Sequence, residues 1–235
     1  MMISNKIGKP RLSGKLAQML VAIAIMLAAC GTWAGLTDFS SNILNAVTRK
    51  WGAAASQRLM AWQEIIQQQK PKVEKQWQTI TPNTLEALKN TNAFFNRVPY
   101  LSDQAHWGKT DYWATPIEML GSNGGDCEDY AAAKYFSLRD LGAPVGQLRM
   151  VYVRALRLNE AHMVLAWYPN PEAEPYILDN LNGSIMLASK RTDLEPVYSF
   201  NDDDLWTSST QSKGGASQIR FWKELKEKMA REQAM

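Results

Sequence analysis

The apolar residues change period once along this chain, near residue 147, and that switch restricts the architectures open to it. Before it, apolar side chains recur at helical spacing. "WGAAASQRLMAWQEIIQQQ" (51–69) sets Leu59, Trp62, Ile65 and Ile66 on one stripe, and "PKVEKQWQTI" extends or restarts that helix. "TPNTLEALKNTNAFFNRV" (81–98) has Pro82 near a helix start, followed by Leu85, Leu88 and Phe95. Residues 36–97 therefore read as helices packed on a core. After the switch, "QLRMVYVRAL" (147–156), "AHMVLAWY" (161–168) and "YILDN" (176–180) are rich in β-formers and separated by Asn, Pro and Glu. "GSIMLAS" and "EPVYSF" add further strands, "TSSTQSKGGASQ" (207–218) reads as a mobile loop, and "IRFWKELKEKMAREQ" closes the chain as an amphipathic helix. Helices first and an antiparallel sheet second make an α+β fold.

A distinctive segment joins the two halves. "HWGKTDYWATPIEML" (106–120) is an aromatic-rich connection ending in a short helix after Pro116. Gly121, Gly124 and Gly125 form a bend, and a helix follows over 127–141. Ala131, Tyr135 and Leu138 line one face of it, and Gly142 ends it. There is no P-loop, GxGxxG, CxxC pair or internal repeat.

The first 34 residues have another character. "MMISNKIGKPRLSGK" carries Lys6, Lys9, Arg11 and Lys15 with no acid, and "LAQMLVAIAIMLAA" (16–29) is apolar except for Gln18. A basic start, a short apolar run and small residues make a secretory signal. The run is short for a membrane span. Cleavage after Ala34 would leave residues 35–235 as a single domain in the periplasm, its helical part covering about 36–98. The rival reading is a lipoprotein box, "LAAC" (27–30), with a lipid on Cys30. Removing the segment lowers the net charge from +3 by four, to −1. The basic balance thus belongs to the signal and argues for no nucleic-acid partner.

Cleavage after Ala34 also removes Cys30 and leaves Cys127 as the sole thiol, so no intrachain disulfide can form. In an oxidising compartment a lone cysteine that only packs is a liability. Two histidines remain, His106 and His162. Strand alternation puts His162, Val164 and Ala166 on one face and Met163, Leu165 and Trp167 on the other. Asp179 ends the apolar "YIL", where a carboxylate needs a partner. His162 follows Cys127 by 35 residues, and Asp179 follows His162 by 17. A thiol at a helix start, with a base and its orienter on successive strands, matches the plan of a cysteine hydrolase. The helix N-terminus favours the thiolate and offers backbone N–H groups to an oxyanion. Trp107, Trp113 and Asn123 are candidates for a further oxyanion donor.

"GGDCEDYAAAKYFSLRDLG", "AHMVLAW" and "YILDN", with the upstream "DYWATPIEML", resemble the bacterial transglutaminase-like cysteine proteinases of the LapG type. The resemblance covers roughly residues 95–200. It implies a papain-like/transglutaminase-like core and a Cys-His-Asp triad falling on Cys127, His162 and Asp179. It further implies calcium-dependent cleavage near the N-terminus of a large surface adhesin. An inner-membrane receptor that senses cyclic-di-GMP would hold the protease in check.

The acids around Cys127 pose a problem that the resemblance answers. Asp126, Glu128 and Asp129 should raise the thiol pKa and oppose catalysis. Asp126 as N-cap and Asp129 as its capping-box partner explain part of the pattern. A bound Ca²⁺ explains more, since hard carboxylate oxygens beside a glycine-rich bend suit it. Asp126 and Glu128 match the family's calcium-binding pair. Two other readings stay open on the residues alone: a transglutaminase or amidase on the same fold, and a non-catalytic module that engages a receptor.

Overall fold

The computed structural model describes residues 35–207 and 219–235. The expected signal segment with Cys30, and all but Thr207 of the expected loop at 207–218, lie outside the described residues. Helix α1 (Ser41–Trp51) starts where the Ser40 hydroxyl accepts from Ile43 N–H at 3.2 Å. It ends at Gly52, whose φ of 86° suits a residue without a Cβ. Helix α2 (Ala53–Val73) begins at once. The continuous 51–69 segment is therefore split at its second residue. Pro71 falls in the last turn of α2, where the helix runs on two residues further. The buried stripe of α2 is Ala55, Leu59, Trp62, Ile66 and Val73, and Ile65 sits half-buried on its flank. Helix α3 (Pro82–Phe95) is capped by Thr81 and Thr84, and buries Ala87, Leu88 and Phe95.

Three further helices carry the chain to the sheet: α4 (Asp103–His106), α5 (Pro116–Ser122) and α6 (Cys127–Asp140). Helix α6 is buried on nearly all sides, not on one face as its apolar pattern suggested. Ala131, Ala132, Ala133, Tyr135 and Leu138 are each at most 2% exposed, and so is Lys134. Small alanines let neighbours approach closely, and the neighbours anchor themselves to this helix and its end. Trp62 Nε1 donates to Ser137 Oγ at 2.8 Å, and Trp77 Nε1 to the Leu141 carbonyl at 2.9 Å. A residue with φ of 93°, Gly142, then turns the chain.

The sheet has six strands, all antiparallel, in the order β4-β3-β2-β1-β5-β6. They are β1 (Leu148–Ala155), β2 (Glu160–Trp167), β3 (Tyr176–Leu178), β4 (Met186–Leu187), β5 (Leu194–Phe200) and β6 (Leu205–Thr207). The last of these gave no signal in the sequence. Alternation sorts the side chains as expected. Met150, Met163, Leu165, Trp167, Leu178 and Phe200 join the helices in the main core. Val151, Val153, Val164, Ala166 and Ile177 form a smaller cluster on the opposite face. Helix α7 (Arg220–Gln233) closes the main core with Trp222, Leu225 and Met229. Trp222 meets Phe200 and Tyr135 edge-on at 5.4 and 5.2 Å. No helix among the described residues is long and apolar enough to cross a membrane.

Candidate active site

Cys127 is the first residue of α6, and that helix packs against β2. The turn before it is tight: a Cβ on Gly125 would stand 2.8 Å from Asp129 Oδ2. Tyr100 bridges to Gly125, which pins the loop to the segment ahead of α4. The backbone of Met163, next to His162, acts on the Cys127 thiol and favours its thiolate. His162 is 4% exposed, and its Nε2 lies 2.7 Å from Asp179 Oδ1. That contact leaves Nδ1 as the ring nitrogen free to serve another group. The structure thus joins His162 to Asp179 directly and brings the strand that carries His162 against the start of the Cys127 helix.

Asp179 is held from several sides. Leu181 N–H donates to Oδ1 at 3.0 Å, and Arg191 Nη2 donates to Oδ2 at 2.7 Å. Burial alone would raise this carboxyl. Hydrogen bonds from His162, Leu181 and Arg191, with the His162 charge, hold it down at about 2. Lys134, buried in α6, is pushed down to about 7 by desolvation, against the pull of the Asp179 charge. Neither Arg191 nor Lys134 stood out in the sequence. Arg191 lies in the linker between β4 and β5, and Lys134 sits in an alanine-rich helix where a lysine reads as solvent-facing.

His106 has a different setting. Its Nε2 lies 2.8 Å from the Ser122 hydroxyl, with no carboxylate to orient it, and burial lowers its pKa. The three candidate oxyanion donors also separate. Trp113 belongs to the aromatic core, stacked with Phe200 and Phe221. Asn123 is the left-handed cap of α5, with φ of 59°. Trp107 packs between His106 and Tyr112, and its buried Nε1 has no partner.

The acids form a cage beside the thiol. Asp126 is the N-cap residue of α6, and its N–H donates to Asp129 Oδ2 at 3.3 Å, as the capping box requires. Asp129 also accepts from Ala114 N–H at 2.6 Å. Two trios bring carboxylate oxygens within 4.8 Å of one another: Asp103, Asp126 and Asp129, and Asp103, Asp111 and Glu128. The expected pair, Asp126 and Glu128, falls into different trios, and Asp103 joins them. Asp103 and Asp111 were not read as ligands from the sequence, because 15 or more residues separate them from Asp126. Folding of α4 and the aromatic connection brings them in.

These residues fit a hard cation. Asp103 Oδ1 and Asp126 Oδ1 are buried and have no hydrogen-bond partner among the described residues. Desolvation raises Asp103 to about 6, and burial with the neighbouring charges of Glu128 and Asp103 raises Asp126. Asp129 is driven up in the same way, by burial first and then by Asp126 and Glu128. A buried, mutually repelling set of acids with unsatisfied oxygens gains from a divalent ion. The thiol feels the same field. Its Sγ lies 3.1 Å from Glu128 Oε2, and burial, Glu128 and Asp126 together raise its pKa strongly.

Comparison with known proteins places this chain in a family. The family model for bacterial transglutaminase-like cysteine proteinases matches residues 60–213. The chain belongs to that family. EGTA-treated LapG of Legionella pneumophila is 39% identical over 80% of this chain and 96% of its own, with a TM-score of 0.66. Calcium-bound LapG of the same organism is 37% identical over 81% of this chain and 99% of its own, with a TM-score of 0.65. No curated protein matches. This member of the transglutaminase-like cysteine proteinases therefore shares the LapG fold over nearly the whole of that protein. Helices followed by a six-stranded antiparallel sheet are the form that fold takes here.

Proposed function

We propose that this cysteine proteinase is a calcium-dependent periplasmic endopeptidase that cleaves the N-terminal region of a large surface adhesin, and that an inner-membrane cyclic-di-GMP receptor restrains it. One observation carries the catalytic reading: a buried His162–Asp179 hydrogen bond on β2, the strand whose Met163 backbone meets the thiol that begins α6. The substrate and regulatory reading rests on the resemblance of the motifs around Cys127, His162 and Asp179 to the LapG-type proteinases.

In this reading Cys127 is the nucleophile, His162 the base and Asp179 its orienter. His162 Nε2–H stays on Asp179 Oδ1, so Nδ1 accepts the proton of the Cys127 thiol. The sulfur attacks the scissile carbonyl carbon and forms a C–S bond. Backbone N–H groups at the start of α6 face the oxyanion that develops. The C–N bond then breaks, and the leaving amine takes the proton from Nδ1. His162 next removes a proton from water, and the hydroxide attacks the thioester. The C–S bond breaks, the acid product departs, and the proton returns to sulfur.

Asp103, Asp126, Asp129, Asp111 and Glu128 would hold calcium. The ion is represented in a known relative, the calcium-bound LapG of Legionella pneumophila. When bound, the cation supplies positive charge that offsets the acids opposing the Cys127 thiolate. The test is incubation with an adhesin N-terminal fragment, with Ca²⁺ and with EGTA, read by product mass. Hydrolysis should appear with calcium only and should vanish in Cys127→Ala, which keeps its fold. Cleavage by Cys127→Ala would end the catalytic assignment, and undiminished cleavage in EGTA would end the calcium requirement.

A further inference from the structure

The proposed mechanism uses one oxygen of Asp179, but the structure engages both. Oδ2 accepts Arg191 Nη2 at 2.7 Å, and the two side chains are 0% and 2% exposed. Arg191 is itself fixed in place. Its Nε donates to Asp193 Oδ1 at 3.0 Å, and its Nη2 to Asp193 Oδ2 at 2.8 Å. Nη2 therefore bridges two carboxylates. The backbone is fixed as well, since Arg191 N–H donates to the Ala188 carbonyl at 2.9 Å. Together with Arg191, Val153, Val164, Ile177 and Leu194 line an apolar cavity on the sheet face opposite the main core.

Burying an arginine between two acids is a poor way to stabilise a sheet. The desolvation cost of such an ion pair is commonly as large as its attraction, and apolar residues of similar volume do as well. The neighbouring valines, isoleucine and leucine show that this face accepts them. The arrangement has a different use. A carboxylate turns easily about its last side-chain bond. Arg191 on Oδ2 and Leu181 N–H on Oδ1 fix the plane of Asp179, and that plane sets the direction of the His162 ring. Arg191 is also among the groups that keep Asp179 ionised, so the carboxylate only accepts. An accepting Oδ1 requires the proton on His162 Nε2 and leaves the Nδ1 lone pair for the thiol.

We propose that Arg191 is a positioning residue of this protease: through its contact with Asp179 Oδ2 it fixes the direction and tautomer of His162. The proposal rests on the triad reading above. Arg191 touches no reacting atom, so its loss should slow the chemistry and leave substrate binding alone.

The test is steady-state cleavage of the adhesin fragment by calcium-loaded wild type, Arg191→Met, Arg191→Lys and Asp179→Asn, each checked by thermal melting. Arg191→Met should lose about tenfold to a hundredfold in kcat, the range that holds for outer-shell partners that orient a metal-bound histidine, with KM little changed. Arg191→Lys keeps the charge but not the fork and should recover part of the loss. A folded Arg191→Met with wild-type kcat, or one changed only in KM, overturns the proposal. Should Arg191→Met fail to fold, Arg191→Lys decides: unchanged kcat there overturns it equally. Asp179→Asn separates this proposal from the reading beneath it. Wild-type kcat in Asp179→Asn removes the triad and Arg191's role with it. An impaired Asp179→Asn beside an unimpaired Arg191→Met removes only the role of Arg191.

Discussion

At the scale of single residues, the buried Asp179 is the most informative group. Its carboxyl sits at about 2, below the ordinary value near 3.9, because His162, Leu181 and Arg191 bind its charged form. A carboxyl depressed in the folded state stabilises the protein fully above its unfolded pKa. That contribution fades as pH falls from about 5 to about 2, and a shift of this size corresponds to about 2–3 kcal/mol. The difference in urea midpoint between wild type and Asp179→Asn should therefore be largest near pH 6 and shrink toward pH 3. The raised acids Asp103, Asp126 and Asp129 work in the opposite direction, but they are common to both proteins and drop out of the difference. A midpoint difference that stays constant from pH 6 to pH 3 would show that Asp179 is not held as charged. Much of this was legible beforehand. Cys127, His162 and Asp179 stood out because each is an unusual residue at a helix start, on a strand or at a strand end. Arg191 did not stand out: a cation in a short linker gives no sign of the carboxylate it will meet 12 residues back in sequence.

At the scale of elements, the C-terminal helix α7 shows how local charge and tertiary docking interact. Its apolar stripe was plain in the sequence, but its partners were not. Lys228 Nζ bonds to the Trp113 carbonyl and reaches Glu118 Oε2 at 3.1 Å, and Glu232 Oε1 accepts from the Thr115 hydroxyl at 2.7 Å. The helix therefore secures the start of α5, in the segment whose Ala114 N–H binds Asp129. Burial and the charge of Glu118 raise Glu232 to about 7, against the Thr115 hydrogen bond. A carboxyl raised on folding binds its proton more tightly in the folded state. Its contribution to stability falls as pH rises from about 4 to about 7. Glu232→Gln keeps an acceptor for Thr115 and has no charge to bury. Its melting temperature should rise relative to wild type across that pH range, and a constant difference from pH 4 to pH 8 would refute this account. The other elements differ in how plainly the sequence shows them, for similar reasons. The sequence pattern found the long helices and β1 to β5. It missed the break at Gly52, where one positive φ divides a continuous apolar pattern, and β6, whose three residues carry no detectable period.

At the scale of the whole molecule, the acid cage ties separate segments together at the Cys127 turn, and that placement decides what calcium should do. The main core consists of the helix stripes, the helix-facing side of the sheet and α7. The cage instead joins α4, the aromatic connection and the start of α6, through Asp103, Asp111, Asp126, Glu128 and Asp129. The sequence implied an α+β chain because its two periodicities are segregated. It could not show that α4 and the aromatic connection would close over the Cys127 turn, since that closure depends on tertiary contacts such as Tyr112 N–H to Asp103 and Ala114 N–H to Asp129. Chelation should therefore leave the secondary structure in place and weaken one end of the molecule. A cation that binds only the folded form stabilises it by about 2.7 kcal/mol at a hundredfold excess over its Kd. For a domain of this size each kcal/mol moves the melting temperature by about 2–4 °C. Saturating Ca²⁺ should thus raise Tm by roughly 5–11 °C over the EGTA-treated protein, with the same far-UV circular dichroism before melting. Asp103→Asn and Asp126→Asn should each reduce that increment, since each removes a charged oxygen from the cage. Mg²⁺ should give less of it, because Mg²⁺ keeps its water and demands stricter octahedral geometry. Equal Tm values in calcium and EGTA would mean that the five acids hold no ion. The unpartnered oxygens of Asp103 and Asp126 would then need another explanation.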